Sequence, residues 1–309
     1  MSKQSKKINP SHGLYIKLGR SGSWEKECLE KGILRFGYKE TPFDAALAGD
    51  WDTVWNAWHG MRNENAGTAT RDVTQIRYFF ERDDEALWTT FSGGMLWWCF
   101  AKPGVKKHKD GKGTYRETVD GWHNTDINDT KLTMDKLSGT LLRMQGFRGT
   151  ICDVKAFDYL KRKLNGKLPV AVDEAAKAEN QMVEKIVPLM QLLSWQDFEL
   201  LVDLVFSNSG WRRVTQLGKT QKTVDSELLM PITGDRAFVQ VKSSANKKDL
   251  AHYLSSLKDS VIYDRMFFVW HTGDVGDVDV PNVDLIGPVE MARMVFEAGL
   301  TSWLREKVS

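Results

Sequence analysis

Hydrophobic residues recur at helical spacing in the first third of the chain. Trp51, Trp55 and Trp58 occupy positions i, i+4 and i+7, which predicts an amphipathic helix within residues 42–61. A tryptophan stripe of this kind forms part of a core more often than a cage around a ligand. Residues 70–81 fit a helix and a strand equally well, because their apolar positions follow neither period consistently.

Shorter apolar runs that end at glycine predict strands in the same half. Residues 86–91 and 95–101 flank a Ser-Gly-Gly connection, which is typical of an antiparallel hairpin. Residues 13–19 and 33–38 are two further candidate strands. Short strands with interspersed helices predict an α+β, β-barrel-like domain over residues 1–165.

The pattern changes in the second half of the chain. Residues 166–186 are rich in Ala and Glu and predict a linker that is partly helical. From residue 187 to 309 the order is helix, hairpin, helix, two strands and a final helix, which predicts an αβ sandwich with a mixed sheet. The first of these helices begins after Ser194, a residue type that caps helix N-termini. The chain is therefore predicted to form two domains.

Polar residues collect on one face of the predicted hairpin at residues 224–242. Side chains alternate along a strand, so Gln240 and Lys242 point to the same side. If the hairpin closes around Thr233–Gly234, Asp225 lies opposite Lys242 and Glu227 lies opposite Gln240. One rim would then carry two carboxylates, an amide and an ammonium.

Composition and charge narrow the class of protein. The chain has 309 residues, of which 41% are hydrophobic and 27% charged, as in ordinary globular proteins. The N-terminus lacks an apolar signal segment, and the three cysteines are widely separated, so we expect a cytoplasmic protein that is not bound to a membrane. The histidines lack zinc-ligand spacing, and the sequence contains no phosphate-binding Gly-x-x-x-x-Gly-Lys loop, so this chain is not expected to bind a nucleoside triphosphate.

The net charge of +2 does not by itself indicate nucleic acid, but basic residues cluster locally. Segment 102–113 holds five lysines against one aspartate, and further basic residues flank the predicted hairpin. Such loops near a phosphodiester would contact phosphates, although a solvated loop is the alternative for segment 102–113. The residues predicted to make these contacts are Lys106, Lys107, Arg212, Arg213, Lys219 and Lys222.

The second half resembles a known family in the order of its residues. From about residue 187 onward it is similar to the Mrr-like catalytic domain of restriction endonucleases, a branch of the PD-(D/E)xK nuclease superfamily. In that branch a helix with an acidic residue precedes a glycine–aromatic pair, a metal-binding aspartate and a closing Gln-x-Lys. The matching positions in this chain are Glu199, Gly210 with Trp211, Asp225, Gln240 and Lys242. The family often surrounds its aspartate with glycines, whereas Asp225 follows Val224 and precedes Ser226.

This resemblance implies a DNA endonuclease that depends on Mg²⁺ and acts in restriction or defence. Asp225, Gln240 and the Val241 carbonyl would be metal ligands, and Glu227 would be either a further ligand or a solvated residue. Lys242 would orient or deprotonate the attacking water, and Glu199 would act from the helix. The alternatives are an inactive nucleic-acid-binding module and a nuclease of the same fold directed at RNA. Cleavage of both strands would favour a homodimer.

The first half faintly resembles the PUA-like superfamily, whose members include readers of modified bases. The resemblance rests on the Ile-Lys-Leu-Gly strand at residues 16–19, the segment at 33–38 and the aromatic hairpin at 86–101. It implies that this domain directs the nuclease to DNA, modified DNA included, with an aromatic pocket that stacks a flipped base. Tryptophan also occurs in hydrophobic cores, so a core position is the alternative for each tryptophan proposed to line the pocket. These candidates are Trp24, Trp97, Trp98 and Trp122.

Overall fold

A computed structural model describes residues 7–214, 226–258, 264–276 and 280–309 of the chain, with side chains up to residue 254 in the second of these ranges. The chain divides at Leu168 into two units, Met1–Leu168 and Pro169–Ser309. Each unit has its own hydrophobic clusters. Along the described residues, no helix combines the length and the apolar character needed to cross a membrane.

The first unit contains two sheets. One is four-stranded in the order β4-β3-β1-β7, and only its β1–β3 pair is parallel. The other is antiparallel in the order β2-β6-β5. The strands are β1 (His12–Ile16), β2 (Ile33–Phe36), β3 (Ala86–Ser92), β4 (Met95–Phe100), β5 (Lys106–Lys107), β6 (Thr114–Glu117) and β7 (Ile151–Asp153).

Helices cover the sheets of the first unit. They are α1 (Glu25–Lys31), α2 (Phe43–Ala48), α3 (Trp51–Met61), α4 (Ala66–Glu81), α5 (Gly139–Leu142) and α6 (Phe157–Leu164). The segment 42–61 is two helices, because Gly49 adopts a φ of 76° and Asp50 starts a new helix by accepting a hydrogen bond from the Thr53 backbone. The ambiguous segment 70–81 is helical and belongs to α4.

The prediction of a barrel-like first domain is wrong in one respect. It is an α+β unit, but the strands of its described residues, 7–168, do not close into a barrel. The two sheets instead meet at the isolated bridge between Ala101, which follows β4, and Thr118, which follows β6. Buried Arg116 secures this junction by donating hydrogen bonds to the carbonyls of Lys102 and Arg82. A side chain that bonds only to carbonyls can fasten neighbouring strands without a carboxylate partner.

The second unit is built on a five-stranded mixed sheet in the order β12-β11-β10-β9-β8. The pairs β10–β11 and β11–β12 are parallel, and the others are antiparallel. The strands are β8 (Arg212–Arg213), β9 (Ser226–Leu229), β10 (Arg236–Asn246), β11 (Arg265–Asp274) and β12 (Val283–Ile286). The helices are α7 (Val170–Met190), α8 (Trp195–Asn208), α9 (Lys247–Lys258), α10 (Pro288–Glu297) and α11 (Thr301–Val308).

The sheet of the second unit has a different hydrophobic cluster on each face. Val239 and Val241 of β10 pack with residues of α7, α8, α10 and α11. Phe238 of β10 and Phe268 of β11 pack on the other face with Leu250 of α9. The segment predicted as a linker forms most of α7, whose buried residues Val183, Ile186 and Met190 belong to the first of these clusters. The mixed sheet between helices is the sandwich that the sequence predicts.

Candidate functional site

The β9–β10 hairpin positions the residues of the predicted catalytic rim. Its strands pair with Glu227 opposite Phe238, so the predicted pairing of Glu227 with Gln240 is wrong by two residues. The connection is longer than expected, because the Met230 backbone N–H donates to Asp235 (2.9 Å) and Gly234 donates to Met230 (2.8 Å). A shift of two residues leaves each side chain on its face, since side chains alternate with a period of two.

Glu227, Gln240 and Lys242 therefore share one face of the sheet. The Gln240 side chain is buried, with 2% of its surface exposed, and its cross-strand neighbour on β11 is Phe268. Glu227 and Lys242 are half-buried. A buried amide beside an aromatic ring requires polar partners, because an unsatisfied amide costs about 1–3 kcal/mol. The strand thus leads from a buried amide to a partly exposed ammonium within three residues.

The ammonium of Lys242 lies over an aromatic ring of the neighbouring helix. Its Nζ is 5.4 Å from the ring centroid of Tyr253, on α9. A cation in this position is attracted by the negative face of the ring. Helix α9 follows β10 directly, so the ring and the strand that carries the lysine are close in sequence as well as in space.

Of the two other predicted catalytic residues, Glu199 lies on a different element and Asp225 lies outside the described residues. Glu199 lies on α8, which begins as predicted after Ser194, whose hydroxyl accepts a hydrogen bond from the Asp197 backbone (3.2 Å). Helix α8 packs on the Val239 face of the sheet, opposite to the face of Gln240 and Lys242. Asp225 lies outside the described residues, so its role as the principal metal ligand stays a prediction.

The described residues supply few of the ligands that a metal ion would need. In ranges 7–214, 226–258, 264–276 and 280–309 there is no group of three or more His, Cys, Asp or Glu side chains that could hold a metal. Glu227 and Gln240 supply a carboxylate and an amide oxygen on one face of the hairpin. Mg²⁺ is commonly held by one or two carboxylates and several waters, so a sparse oxygen set suits Mg²⁺ better than zinc. The Val241 side chain packs in the core, and ligation by its carbonyl stays a prediction.

The cations predicted to contact phosphates differ in how they are bound. In the first unit, Lys106 pairs with Glu117 at 2.5 Å, and the ammonium of Lys107 lies 4.7 Å from the ring centroid of Phe43. In the second unit, Arg212 is exposed on β8, and Arg213 lies 3.5 Å from Asp203. Lys219 and Lys222 lie outside the described residues.

Three of the four tryptophans predicted to line a pocket bind the backbone of neighbouring segments. The indole N–H of Trp97 donates to Ser92, that of Trp98 to Thr125 and that of Trp122 to Ile33, each to a backbone carbonyl. Trp98 and Trp122 are buried in the hydrophobic clusters, although Trp122 also borders a polar groove beside Lys102 and Glu117. Trp24 is different, because it is half-buried and lines a cavity.

This cavity has a volume of about 650 Å³ and lies within the first unit. Three aromatic residues, Trp24, Tyr38 and Trp58, contribute to its wall. Among them, the rings of Tyr38 and Trp58 are in contact, with centroids 5.1 Å apart. A volume of about 300–1,000 Å³ with aromatic walls and a few polar groups is usual for small-ligand sites. We call it the basic aromatic cavity, because five Lys or Arg residues and one Asp also line it.

A buried carboxylate lies at the cavity wall. Asp72, on α4, is 4% exposed, and its Oδ2 accepts a hydrogen bond from Arg62 Nε at 2.6 Å and forms an ion pair with Arg62 Nη2 at 2.6 Å. The hydroxyl of Tyr38 donates to its other oxygen at 3.3 Å. Burial, and then the negative charge of Asp72, raise the pKa of Tyr38 to about 12, so this hydroxyl remains a donor at neutral pH.

Trp24 is held from outside the cavity by an arginine. The Arg35 guanidinium lies 4.2 Å from the Trp24 ring centroid, and its side chain is 3% exposed. Two carboxylates, of Glu27 and Asp110, bind the same guanidinium at 2.6 Å each. Hydrogen bonds from Lys31 and then from Arg35 lower the pKa of Glu27 to about 2, so this carboxylate stays ionised. Gly37 allows the ring to sit close, because a Cβ there would lie 3.0 Å from Trp24 Cη2.

Sequence reasoning missed Tyr38, Arg62 and Asp72 as cavity residues. The spacing of Trp58 and Arg62 at i and i+4 was a usable signal, since the arginine lies 5.1 Å from the ring centroid of that tryptophan. No sign in the sequence indicated that Asp72 borders a cavity. This residue follows an arginine in a polar segment, and the residue pattern did not decide whether that segment is a helix or a strand. The interpretation of Trp58 as a core residue is confirmed, but the same side chain also borders the cavity.

Comparison with known proteins finds little. No protein-family model matches the sequence, and no curated protein matches it. Among solved structures, the MspJI restriction endonuclease in complex with a 27-mer oligonucleotide matches over 78% of this chain and 69% of that chain, with 14% identity and a TM-score of 0.29. A TM-score of this size does not establish a common fold, so no activity follows from the match.

Proposed function

We propose that the protein is a metal-dependent DNA endonuclease whose second unit hydrolyses the phosphodiester and whose first unit directs it to DNA. The observation that carries the proposal is the common face of Glu227, Gln240 and Lys242 on the β9–β10 hairpin. Together with the order of residues from Glu199 to Lys242, this common face supports a site in which an acid, an amide and an ammonium would assist a metal-dependent hydrolysis.

The strand that carries Gln240 and Lys242 is rigidly supported. Its residues 236–239 pair with β9, and Gln240 and Lys242 pair with Phe268 and Trp270 of β11, so the β11 pairing fixes the direction of both side chains. Sites built on central strands hold their geometry better than sites on loops. This support favours a catalytic role over a solvated strand edge, on which polar side chains would be exposed and unconstrained.

Each residue has a role that its chemistry allows. Mg²⁺, when bound, would stabilise negative charge at phosphorus and lower the pKa of a bound water. Asp225, Glu227, Gln240 and the Val241 carbonyl would supply oxygen ligands from the hairpin. Lys242 would orient the attacking water through its ammonium and offset charge on the phosphate oxygens. Glu199 stays a prediction as a further carboxylate, because α8 packs on the opposite face of the sheet.

The biological setting belongs to the same proposal. An endonuclease of this kind would act in restriction or defence against foreign DNA, and modified DNA would be its target if the first unit reads a modification. A homodimer would provide the two active sites that cutting both strands requires. The exposed Arg212, with Lys219 and Lys222, would contact backbone phosphates near the rim.

Plasmid cleavage with Mg²⁺ or with EDTA tests the nuclease. We expect wild-type protein to cleave with Mg²⁺ and not with EDTA, and Lys242→Ala and Asp225→Ala to reduce the rate by about 10²–10³-fold, the usual effect of removing one electrostatic stabiliser. Lys248→Ala, at an exposed lysine of α9, is the matched control and should cleave normally. Unchanged cleavage by Lys242→Ala would refute the proposal.

The same assay separates the alternatives. Tight DNA binding without cleavage under all conditions would favour an inactive binding module, and cleavage of RNA alone would favour an RNA-directed nuclease. Plasmids that differ only in base modification test the reader. We expect one modified form to be cleaved faster than its unmodified twin, and equal rates on every form would remove modification reading from the proposal.

A further inference from the structure

Basic side chains gather around a hollow at the end of α6, and none of the residues around it belongs to the sites described above. The hollow has a volume of about 260 Å³, and four cations and one carboxylate line it. We infer that it binds the phosphate backbone of duplex DNA and anchors the first unit there, whatever the base sequence. This inference rests on the proposed function for its choice of DNA among polyanions. The four cations, which we call the α6 basic patch, are Lys7, Lys161, Arg162 and Lys167.

The end of α6 supplies three of these cations. Lys161 and Arg162 lie in the last turn of the helix, and Gly166 follows in the left-handed conformation with a φ of 59°. The chain turns there, and the Lys167 backbone N–H donates to the Arg162 carbonyl at 3.0 Å. A Cβ at residue 166 would collide with the Asn128 side chain, so glycine is required. Lys167 therefore returns to the end of the helix instead of leading away from it.

Asn165 ties the N-terminal segment to the same place. Its side-chain oxygen accepts from the Ile8 backbone N–H at 3.0 Å, and its Nδ2 donates to the Ile8 carbonyl at 2.7 Å. The same Nδ2 donates to the Lys161 carbonyl at 2.7 Å. Asn165 is buried, so these bonds are shielded from water. Lys7, which precedes Ile8, is therefore held at the hollow together with Lys161.

The cations are not needed to cap the helix. Lysine and arginine side chains near a helix C-terminus can bind its last carbonyls, which lack partners within the helix. In α6 the Lys161 carbonyl already accepts from Asn165. The Arg162 carbonyl accepts from the Lys167 backbone. The side-chain charges are thus available to an anion from outside the chain.

No carboxylate neutralises the α6 basic patch. In the part of the chain that the structure describes, none of its four cations lies within 4 Å of a carboxylate oxygen, that of Asp158 in the hollow included. By contrast, Lys106 and Lys102, in the lysine segment 102–113, pair with Glu117 at 2.5 and 3.5 Å. Neighbouring cations without a counter-charge repel one another, and a bound anion relieves this repulsion. The patch therefore suits phosphates better than the lysine segment does.

The hollow suits one phosphate group rather than a whole small molecule. Sites for small ligands usually measure about 300–1,000 Å³, and this hollow is smaller. Arg162 lies over the ring of Tyr159, 5.9 Å from its centroid, and an arginine stacked on a ring can still donate in its plane. Its planar fork of donors matches phosphate oxygens. A nucleic-acid backbone continues with a phosphate on either side, and the exposed Lys7 and Lys167 can contact these.

The salt dependence of DNA binding tests the inference. The affinity of the whole chain for a fluorescent duplex is measured in EDTA at several salt concentrations, so cleavage plays no part. Each phosphate contact adds about 0.9 to the fall of log affinity with log salt. We therefore expect the double variant Lys161→Gln, Lys167→Gln to lower this slope by about 2 and the affinity by at least about tenfold. Two duplexes of unrelated sequence should lose affinity equally, since a phosphate contact carries no information on the base.

The matched control is the double variant Lys26→Gln, Lys39→Gln. It removes the same charge from the first unit, but each of these lysines is exposed and pairs with a neighbouring glutamate. It should keep the slope and the affinity of the wild type. The variant Lys161→Arg, Lys167→Arg keeps the charge of the patch and should also bind as the wild type does. Thermal melting checks that every variant is folded.

Three results would overturn the inference. They are no binding of a duplex by the wild type, an unchanged slope in the folded Lys161→Gln, Lys167→Gln protein, and an equal fall in the matched control. An acidic protein partner in place of DNA would give an unchanged slope. If any of the three occurs while Lys242→Ala still abolishes cleavage, the nuclease stands without this patch. If the slope falls as expected but no condition gives cleavage, the patch stands and the nuclease fails.

Discussion

The two units each contain a cation over an aromatic ring, but the two contacts are built in opposite ways. In the first unit, Arg35 is buried and bound by two carboxylates, while the ring of Trp24 borders a cavity. In the second unit, the ring of Tyr253 belongs to a helix, while Lys242 is partly exposed at the proposed catalytic rim. In the first unit the cation, Arg35, supports the ring of Trp24. In the second unit the ring of Tyr253 supports the cation, Lys242.

The choice of cation follows from this difference. A guanidinium can donate hydrogen bonds in its plane while its face stacks on a ring, so Arg35 can bind Glu27, Asp110 and Trp24 together. An ammonium is a compact point charge on a flexible stem, so Lys242 can contact the Tyr253 ring while it remains partly exposed at the proposed catalytic rim. The contact in the first unit thus holds a buried cation between a ring and two carboxylates, and the one in the second leaves a partly exposed cation beside a ring.

The largest expected effect comes from removing the support in the first unit. Arg35→Met leaves two carboxylates without their buried cation, so we expect the opening free energy of β2 and α1 to fall by about 3 kcal/mol. Amide hydrogen exchange across these two elements measures it. Arg77→Met is the control, because Arg77 also lies over a tryptophan and pairs with a carboxylate, but at an exposed site. There we expect less than about 1 kcal/mol. Equal losses in the two variants would show that Arg35 is not a special support.

A smaller effect is expected from removing the ring in the second unit. A cation over a ring contributes about 0.5–1 kcal/mol, so Tyr253→Leu should slow single-turnover cleavage by about twofold to fivefold. Tyr253→Phe keeps the ring and should cleave normally. The dissociation constant for DNA, measured in EDTA, should change in neither variant, because the ring positions Lys242 and does not bind DNA. A parallel loss of affinity and rate in Tyr253→Leu would mean that the helix itself, not the contact, is disturbed.

The sequence predicts the scaffold of the second site better than its details. The apolar runs predict the sheet and α8, and alternation predicts the common face of Gln240 and Lys242. The pairing of Glu227 is wrong by two residues, because the length of the β9–β10 connection depends on hydrogen bonds of Met230 and Gly234 that no residue pattern specifies. The prediction that these side chains share one face is unaffected by that error. Only a shift of the strand pairing by an odd number of residues would move them to opposite faces.

The cavity of the first site could not be predicted in the same way. Its wall joins Trp24 before α1, Tyr38 after β2 and Asp72 within α4, and only the tertiary fold brings these segments together. Tryptophan alone is a poor guide, because Trp97, Trp98 and Trp122 use their N–H groups to bind backbone carbonyls in the fold. Periodicity reports which face of an element is buried, but not which buried faces leave a space between them.

The smallest expected effect is on the acid stability of the first unit. The pKa of Glu27 is lowered to about 2 in the folded chain, from an ordinary value of 4.5, by hydrogen bonds from Lys31 and Arg35. Between these two values the unfolded chain binds the proton that the folded chain excludes. The stabilisation is therefore complete above pH 4.5 and is lost as the pH falls toward 2.

Glu27→Gln removes this titration but keeps an oxygen that can accept from Arg35. We expect its melting temperature to fall less steeply than that of the wild type between pH 5 and pH 2, as measured by tryptophan fluorescence. Asp110, whose pKa is also lowered by hydrogen bonds that outweigh its desolvation, retains a residual slope in the variant. Glu30→Gln is the control, because the exposed Glu30 lies 4.0 Å from Lys26, and it should show the wild-type slope. An unchanged slope in Glu27→Gln would mean that its carboxylate does not anchor Arg35, and the anchoring of Arg35 would then rest on Asp110 alone.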